Sequence, residues 1–205
     1  MTTDVRWRLL DHDEGLLAEA ERRHGGKSLS FIRGDLDDLS SLPINGLAIV
    51  TASAFFDLCS ADFIHRFIRH LKANGVGLYA ALNYDGEMAW VVRHPLDDRV
   101  RDAFNRHQKT DKGFGPAAGP DAWASLAAEL EVRGFRVQTA ASPWILSGSD
   151  APLQRLFLKG MVDAVSETGI IAAGLLEDWH GFRLDAIDRQ GSSCRVGHQD
   201  VFSIP

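Results

Sequence analysis

LAIVTASAFFDLCSADFIHRFIRHLKANGVGLYAALNY, residues 47–84, is the stretch that decides the fold. The apolar run LAIVTASAFF ends in small residues and reads as a strand. In the segment that follows, Phe63, Ile64, Phe67, Ile68 and Leu71 share one helical face, which gives a helix over about 61–72 stopped by Asn74-Gly75. A second run, VGLYAALNY, reads as a strand that breaks at Asp85-Gly86, and Trp90-Val91-Val92 beyond this turn allow a hairpin extension. Strand, helix, strand is the unit of a parallel sheet, because parallel neighbours need a crossover.

The same grammar extends in both directions. Upstream, VRWRLL (5–10) reads as a strand, Asp11-His12-Asp13-Glu14 as an N-cap and acidic first turn, and residues 15–24 as a helix ended by Gly25-Gly26. LSFIRG is the next strand, with Asp35 in the polar loop behind it. Downstream come an insertion over 94–119 with a short helix at 97–106 and a Gly-rich loop, then a helix over 121–133 and the strand FRVQTAASPWIL. Ser149 or Asp150 caps another helix, a further one spans about 168–190, and CRVGHQDVFSI is the last strand. This alternation predicts one α/β domain over residues 1–205 with a mostly parallel sheet, the last strand returning beside an earlier one.

Of the 205 residues, 45% are hydrophobic and 24% charged, which excludes collagenous, disordered and disulfide-scaffold classes. The 22 Lys+Arg against 28 Asp+Glu give a net charge of −6 with no long run of like charge, so no footprint for duplex nucleic acid is present and a small-molecule or protein substrate is expected. Cys59 and Cys194 fall outside any C-x-x-C spacing, which argues for a reducing compartment, hence the cytoplasm, and against structural zinc. The amino-terminal stretch lacks a basic start and a long apolar core, and no run approaches the roughly 18 apolar residues of a membrane span.

In an open parallel sheet the ligand crevice lies outside the carboxyl ends of the strands, so the residues just after each apolar run carry the information. Asp11, Asp35, Ser53 to Asp57 and Asn83 to Asp85 stand there. One strand-end carboxylate can accept both ribose hydroxyls and a second an exocyclic amine, which together describe an adenosine clamp. Taken singly, Asp11 reads as the cap of the helix it precedes, and Asp35 as a solvated turn acid beside Asp37 and Asp38. Recurrence at equivalent points of consecutive units favours the ligand reading.

DHDEGLL, RGDLDDL, VTASAFFDLCS and LYAALNYDG, in that order, resemble the successive strand-end segments of class I S-adenosylmethionine-dependent methyltransferases. HPLDDRVRDAFNRHQKTDKGFG, SPWIL and GHQDVF are similar to later segments of a bacterial branch. The resemblance implies a Rossmann-like three-layer sandwich with an antiparallel last strand, and methyl transfer from S-adenosylmethionine to a small molecule. It implies that Asp11 holds the ribose with His12 beside it, that Asp35 contacts the adenine amine, that Leu36 and Phe55 wall the adenine, and that Ser53, Ala54 and Phe55 pass near the methionine end.

Two departures from the family pattern stand out. The first family strand and its glycine-rich G-x-G-x-G turn should precede VRWRLL, where only residues 1–4 stand, and Ala48 replaces an acid common at the start of the family's fourth strand. The family order is 3-2-1-4-5-7-6. Without strand 1 a sheet must pair two strands usually separated, leave a gap, or borrow a strand. The expectation is a reading frame shortened at its amino end. An inactive methyltransferase-like binding or assembly module is the other reading, with a homodimer partner filling the gap.

A rival glycine loop, Gly113-Phe114-Gly115-Pro116-Ala117-Ala118-Gly119, satisfies G-x-G-x-x-A, but it follows a polar segment and its prolines remove amide donors. A substrate lid or plain surface loop fits it better than a dinucleotide cradle. Asn83, Tyr84, Asn105, Arg106, Lys109 and Trp144 form the expected substrate set, with Arg106 and Lys109 as anion partners for an acidic or polyhydroxylated molecule. His107 is the expected base, although methyl transfer can proceed through positioning alone. His198 reads as a core or edge residue, Cys59 as packing, and His12 finds no partners at metal-ligand spacing.

Overall fold

The computed structural model describes residues 5–26 and 28–205; residues 1–4, at which the missing family strand was placed, lie outside the described residues. Two units are formed, one ending at Asn45 and one running Gly46–Pro205.

In the first unit β1 (Trp7–Asp11) and β2 (Leu29–Arg33) pair in parallel, Trp7 opposite Leu29 and Asp11 opposite Arg33, and α1 (Glu14–His24) supplies the crossover. Asp13 caps α1, its Oδ1 accepting from the amides of Gly15 at 2.7 Å and Leu16 at 3.1 Å. Asp11 is therefore not the cap. Its own Oδ1 accepts from the Asp13 amide at 3.0 Å and shapes the turn that delivers the cap.

In the second unit β3 (Ile49–Ser53) and β4 (Gly77–Trp90) pair in parallel across α2 (Ala61–Asn74). Ser60 caps α2 through the Phe63 amide at 3.1 Å, the face Phe63, Ile64, Phe67, Ile68 and Leu71 is buried, and Gly75 ends the helix at φ 65°. The chain continues through α3 (Asp97–Gln108), α4 (Ala122–Val132), β5 (Arg136–Ala141), β6 (Trp144–Leu146), α5 (Ala151–Thr168), α6 (Ala173–Ile187) and β7 (Cys194–Ile204). The strand order is β3-β4-β7-β5, with β6 also beside β7, and β7 runs antiparallel to β4, β5 and β6. Gly77 begins β4 where a Cβ would stand 2.7 Å from the Ser203 carbonyl, so no side chain fits between β3 and β7 at that level.

Two readings of the sequence change. Asp85-Gly86 makes no hairpin: β4 runs on to Trp90, and Met88, Ala89 and Trp90 pair with Val196, Arg195 and Cys194 of the long β7. Gly86, at φ 88°, sits in the register shift between Tyr84 and Met88, a bulge rather than a chain reversal. The helix expected over 168–190 starts only at Ala173, because Thr168 closes α5 and Gly169 turns left-handed at φ 63°.

The sheet of β1 and β2 and the sheet of β3, β4, β7, β5 and β6 share no ladder among the described residues. Beneath the second sheet, Tyr84, Met88, Trp90, Val100, Leu158, Met161, Trp179 and Val196 belong to one buried cluster. No helix of the described residues is long and apolar enough to cross a membrane.

Candidate functional site

In the first unit the carboxyl ends of β1 and β2 present two acids side by side. The Gly34 amide donates to the Asp11 carbonyl at 3.0 Å, tying the two strand exits together. Asp35 follows at once, its Oδ1 accepting from the Asp37 amide at 2.9 Å, with half-buried Leu36 next to it. Each acid thus spends Oδ1 on its own turn, and Oδ2 takes no hydrogen bond among the described residues. Exposed His12 places Nδ1 3.4 Å from Asp11 Oδ1. Sequence reasoning expected Asp11, His12, Asp35 and Leu36 to lie together, and the parallel register brings them to one end of this sheet.

In the second unit the matching end carries backbone strain. β3 ends at Ser53 and Ala54 stands at φ 50°; the parallel pairing of β4 ends at Ala81 and Leu82 stands at φ 54°. Neither residue type favours the left-handed region, so both positions are held by their surroundings. The Ala54 amide donates to the Ala81 carbonyl at 3.0 Å, and the Leu82 amide to Asp200 Oδ1 at 2.9 Å. Asp200 also accepts from the Ser142 hydroxyl at 2.5 Å and the Tyr79 hydroxyl at 2.7 Å. Burial alone would raise its pKa, but these donors hold the carboxyl below the usual aspartate range.

Beyond Ala54, Phe55 is half-buried and Asp57 lies in a short 3-10 turn, Phe56–Leu58. Asp57 Oδ1 is buried without a hydrogen-bond partner, and burial pushes the carboxyl above its ordinary value of 3.8. A raised folded-state pKa means a penalty that is absent below the unfolded value and grows as pH rises toward the folded one. Asp57→Asn is therefore expected to stabilise the unliganded chain at pH 7 by on the order of 1 kcal/mol. The gain should shrink as pH falls toward 3.8, as thermal denaturation at a series of pH values would reveal.

Around the bulge of β4 the expected substrate residues part company. Buried Asn83 donates through Nδ2 to the carbonyls of Ala80 at 3.1 Å and Gln199 at 2.9 Å, while its Oδ1 is unpartnered. The Tyr84 hydroxyl donates to Asn105 Oδ1 at 2.8 Å, and Asn105 Nδ2 to the Gly86 carbonyl at 2.9 Å. The His198 ring packs 5.0 Å from Trp144 and 6.2 Å from Tyr84, with Nδ1 buried and unpartnered. Its burial, opposed by the Val196 carbonyl and the charges of Asp85 and Asp200, leaves it harder to protonate than an ordinary histidine. Tyr84 and Trp144 thus flank a histidine read as structural, and Asn105 joins them through the Tyr84 hydroxyl.

A cavity of about 260 Å³ opens beside them, lined by β4 at Asp85, Gly86 and Glu87, by α3, and by Pro120 and Asp121. Its cations are already engaged: Lys109 lies 2.6 Å from Asp121, and Arg101 contacts Asp98 and Asp102 at 3.0 Å. Lys109, expected as an anion partner, is thus paired with Asp121, and Arg106 stands exposed outside the cavity lining. The expected base, His107, has Nε2 2.8 Å from Glu167 of α5 and Nδ1 3.4 Å from Lys112. These partners belong to α5 and to the segment that follows α3, and neither is a strand-end residue.

No family model matches the sequence, and no curated protein matches it. Among solved structures, the YcgJ protein of Bacillus subtilis superposes with a TM-score of 0.52 at 12% identity, over 97% of this chain and 82% of that one. A putative methyltransferase from Bacillus halodurans gives 0.48 at 14% identity, over 96% and 80%. The cyclopropane synthase MmaA2 of Mycobacterium tuberculosis gives 0.48 at 10%, over 98% and 71%. The β3-β4-β7-β5 order with β7 reversed is the 4-5-7-6 half of the family order. The fold is Rossmann-like, of the methyltransferase type.

Within this methyltransferase-type fold, sequence reasoning passed over Asp200 and Leu82. Asp200 belongs to HQD, a polar triplet inside an otherwise apolar strand, which is the signal that marks it. Nothing in the residue type of Leu82 announces a positive φ.

Proposed function

We propose that the chain transfers the methyl group of S-adenosylmethionine to a small-molecule acceptor. The observation that carries this reading is the pair of acids beyond adjacent parallel strands, Asp11 and Asp35, each with one oxygen committed to its turn and one that takes no hydrogen bond among the described residues. The donor chemistry fits the group. Asp11, with His12 beside it, would take the ribose hydroxyls, Asp35 the adenine amine, and Leu36 an apolar face of the ring. In the second unit, Ser53, Ala54 and Phe55 are the residues that the family pattern gives to the methionine end, and the Asp57 oxygen, unpartnered among the described residues, is suited to an ammonium.

When bound, the group supplies a sulfonium methyl, an electrophile needing only a nucleophile in line with it. The residues of the chain have to hold and orient. Tyr84 and Asn105, locked to each other and to the Gly86 carbonyl, offer a fixed polar edge for an acceptor, and Trp144 an aromatic wall. Rate enhancement then comes from positioning rather than from acid chemistry.

Ultraviolet crosslinking with methyl-labelled S-adenosylmethionine, followed by peptide mapping, tests the reading. Label suppressed by excess S-adenosylhomocysteine should fall in peptides containing Asp11, Asp35 or Ser53 to Phe56. A folded chain without suppressible label would instead be a methyltransferase-like binding or assembly module.

A further inference from the structure

The segment 110–119, between α3 and α4, is fastened to the rest of its unit by the Phe114 ring, the buried Ala117, the contact of Lys112 with His107 and a few backbone bridges. Phe114 sets its ring 5.0 Å from Phe63 and 5.6 Å from Phe55, both edge-on, and these two rings are themselves 5.9 Å apart. Beside the ring the backbone makes two isolated bridges, Cys59 with Phe114 and Ser60 with Ala117, and the Ala118 amide donates to the Cys59 carbonyl at 2.8 Å. Gly113, Gly115 and Gly119 have φ of 106°, 80° and 56°, so three of the ten residues occupy conformations that other residues adopt only with strain. The Lys109–Asp121 ion pair at its foot is exposed on both sides. A segment with one half-buried aromatic anchor and glycine turns on either side opens at low cost.

The anchor's seat matters as much as the anchor. Phe55 follows Ala54, the residue held at φ 50° at the end of β3, so its ring direction depends on that strained turn. We infer that Phe114 is a positioning residue: it latches the 110–119 strap onto Phe55 and Phe63, and filling the strand-end site that Phe55 borders changes how tightly the strap is held. The coupling, unlike the latch, rests on the methyl-transfer reading, which places Phe55 against the bound group. Edge-to-face aromatic contacts are directional, so a shift of the Phe55 ring is felt by Phe114 before it is felt by the backbone bridges.

Hydrogen exchange on the full-length chain, with Phe114→Ala and Phe114→Tyr alongside the native protein, tests both parts. Without ligand, Phe114→Ala should speed exchange of the Ala117 and Ala118 amides at least about tenfold and leave the α2 amides unchanged, and Phe114→Tyr should restore near-native rates. Saturating S-adenosylhomocysteine should alter the strap rates of the native chain severalfold and leave those of Phe114→Ala alone. Affinity for it should fall roughly two- to tenfold in Phe114→Ala, the worth of an aromatic pair. Native-like strap exchange in Phe114→Ala overturns the latch. Strap rates indifferent to a ligand that binds overturn the coupling. A Phe114-dependent strap on a chain that binds no S-adenosylhomocysteine keeps the latch and overturns the coupling together with the methyl-transfer reading.

Discussion

Replacing Asp97 with Ala should lower the unfolding free energy by about 3–5 kcal/mol. The Asp97 and Arg183 side chains are 9% and 1% exposed, and Arg183 Nη2 donates to both carboxylate oxygens, at 2.5 and 2.6 Å. Asp97 Oδ1 also accepts from the Trp179 indole at 2.9 Å, and Oδ2 from the His94 amide at 2.9 Å. Arg183 Nη1 reaches the Val92 carbonyl at 2.6 Å, and its guanidinium lies 4.6 Å above the Trp90 ring. One carboxylate at the start of α3 therefore joins α6 to the end of β4.

Burial pulls the Arg183 pKa down and Asp97 is the main group that opposes it, so removing the acid leaves a desolvated cation without its carboxylate partner. For a chain of this size the loss corresponds to about 6–20 °C in Tm. Circular dichroism during thermal and urea denaturation measures it. Asp97→Leu combined with Arg183→Met should recover part of the loss, because an apolar pair pays no desolvation penalty. A drop below about 1 kcal/mol would mean that water reaches the pair.

Asp11→Ala should weaken S-adenosylhomocysteine binding roughly ten- to a hundredfold, since hydrogen bonds to a charged group contribute about 1.5–3 kcal/mol. The turn geometry gives this number its meaning. Asp13, not Asp11, caps α1, so the helix start keeps its two side-chain hydrogen bonds in the variant, which loses the contacts of Asp11 with the Asp13 amide and with exposed His12. A large affinity change with little change in stability is therefore the expected signature, and equilibrium dialysis with labelled ligand reads the affinity directly. Asp13→Ala should show the reverse pattern.

The residues explain how far sequence reading reaches. The helix face from Phe63 to Leu71 and its caps, Ser60 and Gly75, are local signals, and α2 forms where they say. Asp85-Gly86 misleads because bulge and hairpin ask for the same residues; what decides is the length of β7, eleven residues from the far end of the chain. Asp11, His12, Asp35 and Leu36 were legible because strand ends announce themselves. The engagement of the Lys109 charge was not, since its partner Asp121 is fixed only when α3 is laid beside residues 119–121. The unpartnered oxygens of Asp57 and Asn83 were equally hidden, because burial belongs to the packed molecule and not to the residue type.

Calorimetric titration of S-adenosylhomocysteine into the 205-residue chain, shown by circular dichroism to be folded, tests the central claim most directly. Saturable one-to-one binding is the expected result. A folded chain that takes up none of the ligand would contradict the account and leave Asp11 and Asp35 as turn-forming acids on a methyltransferase-type fold that does other work.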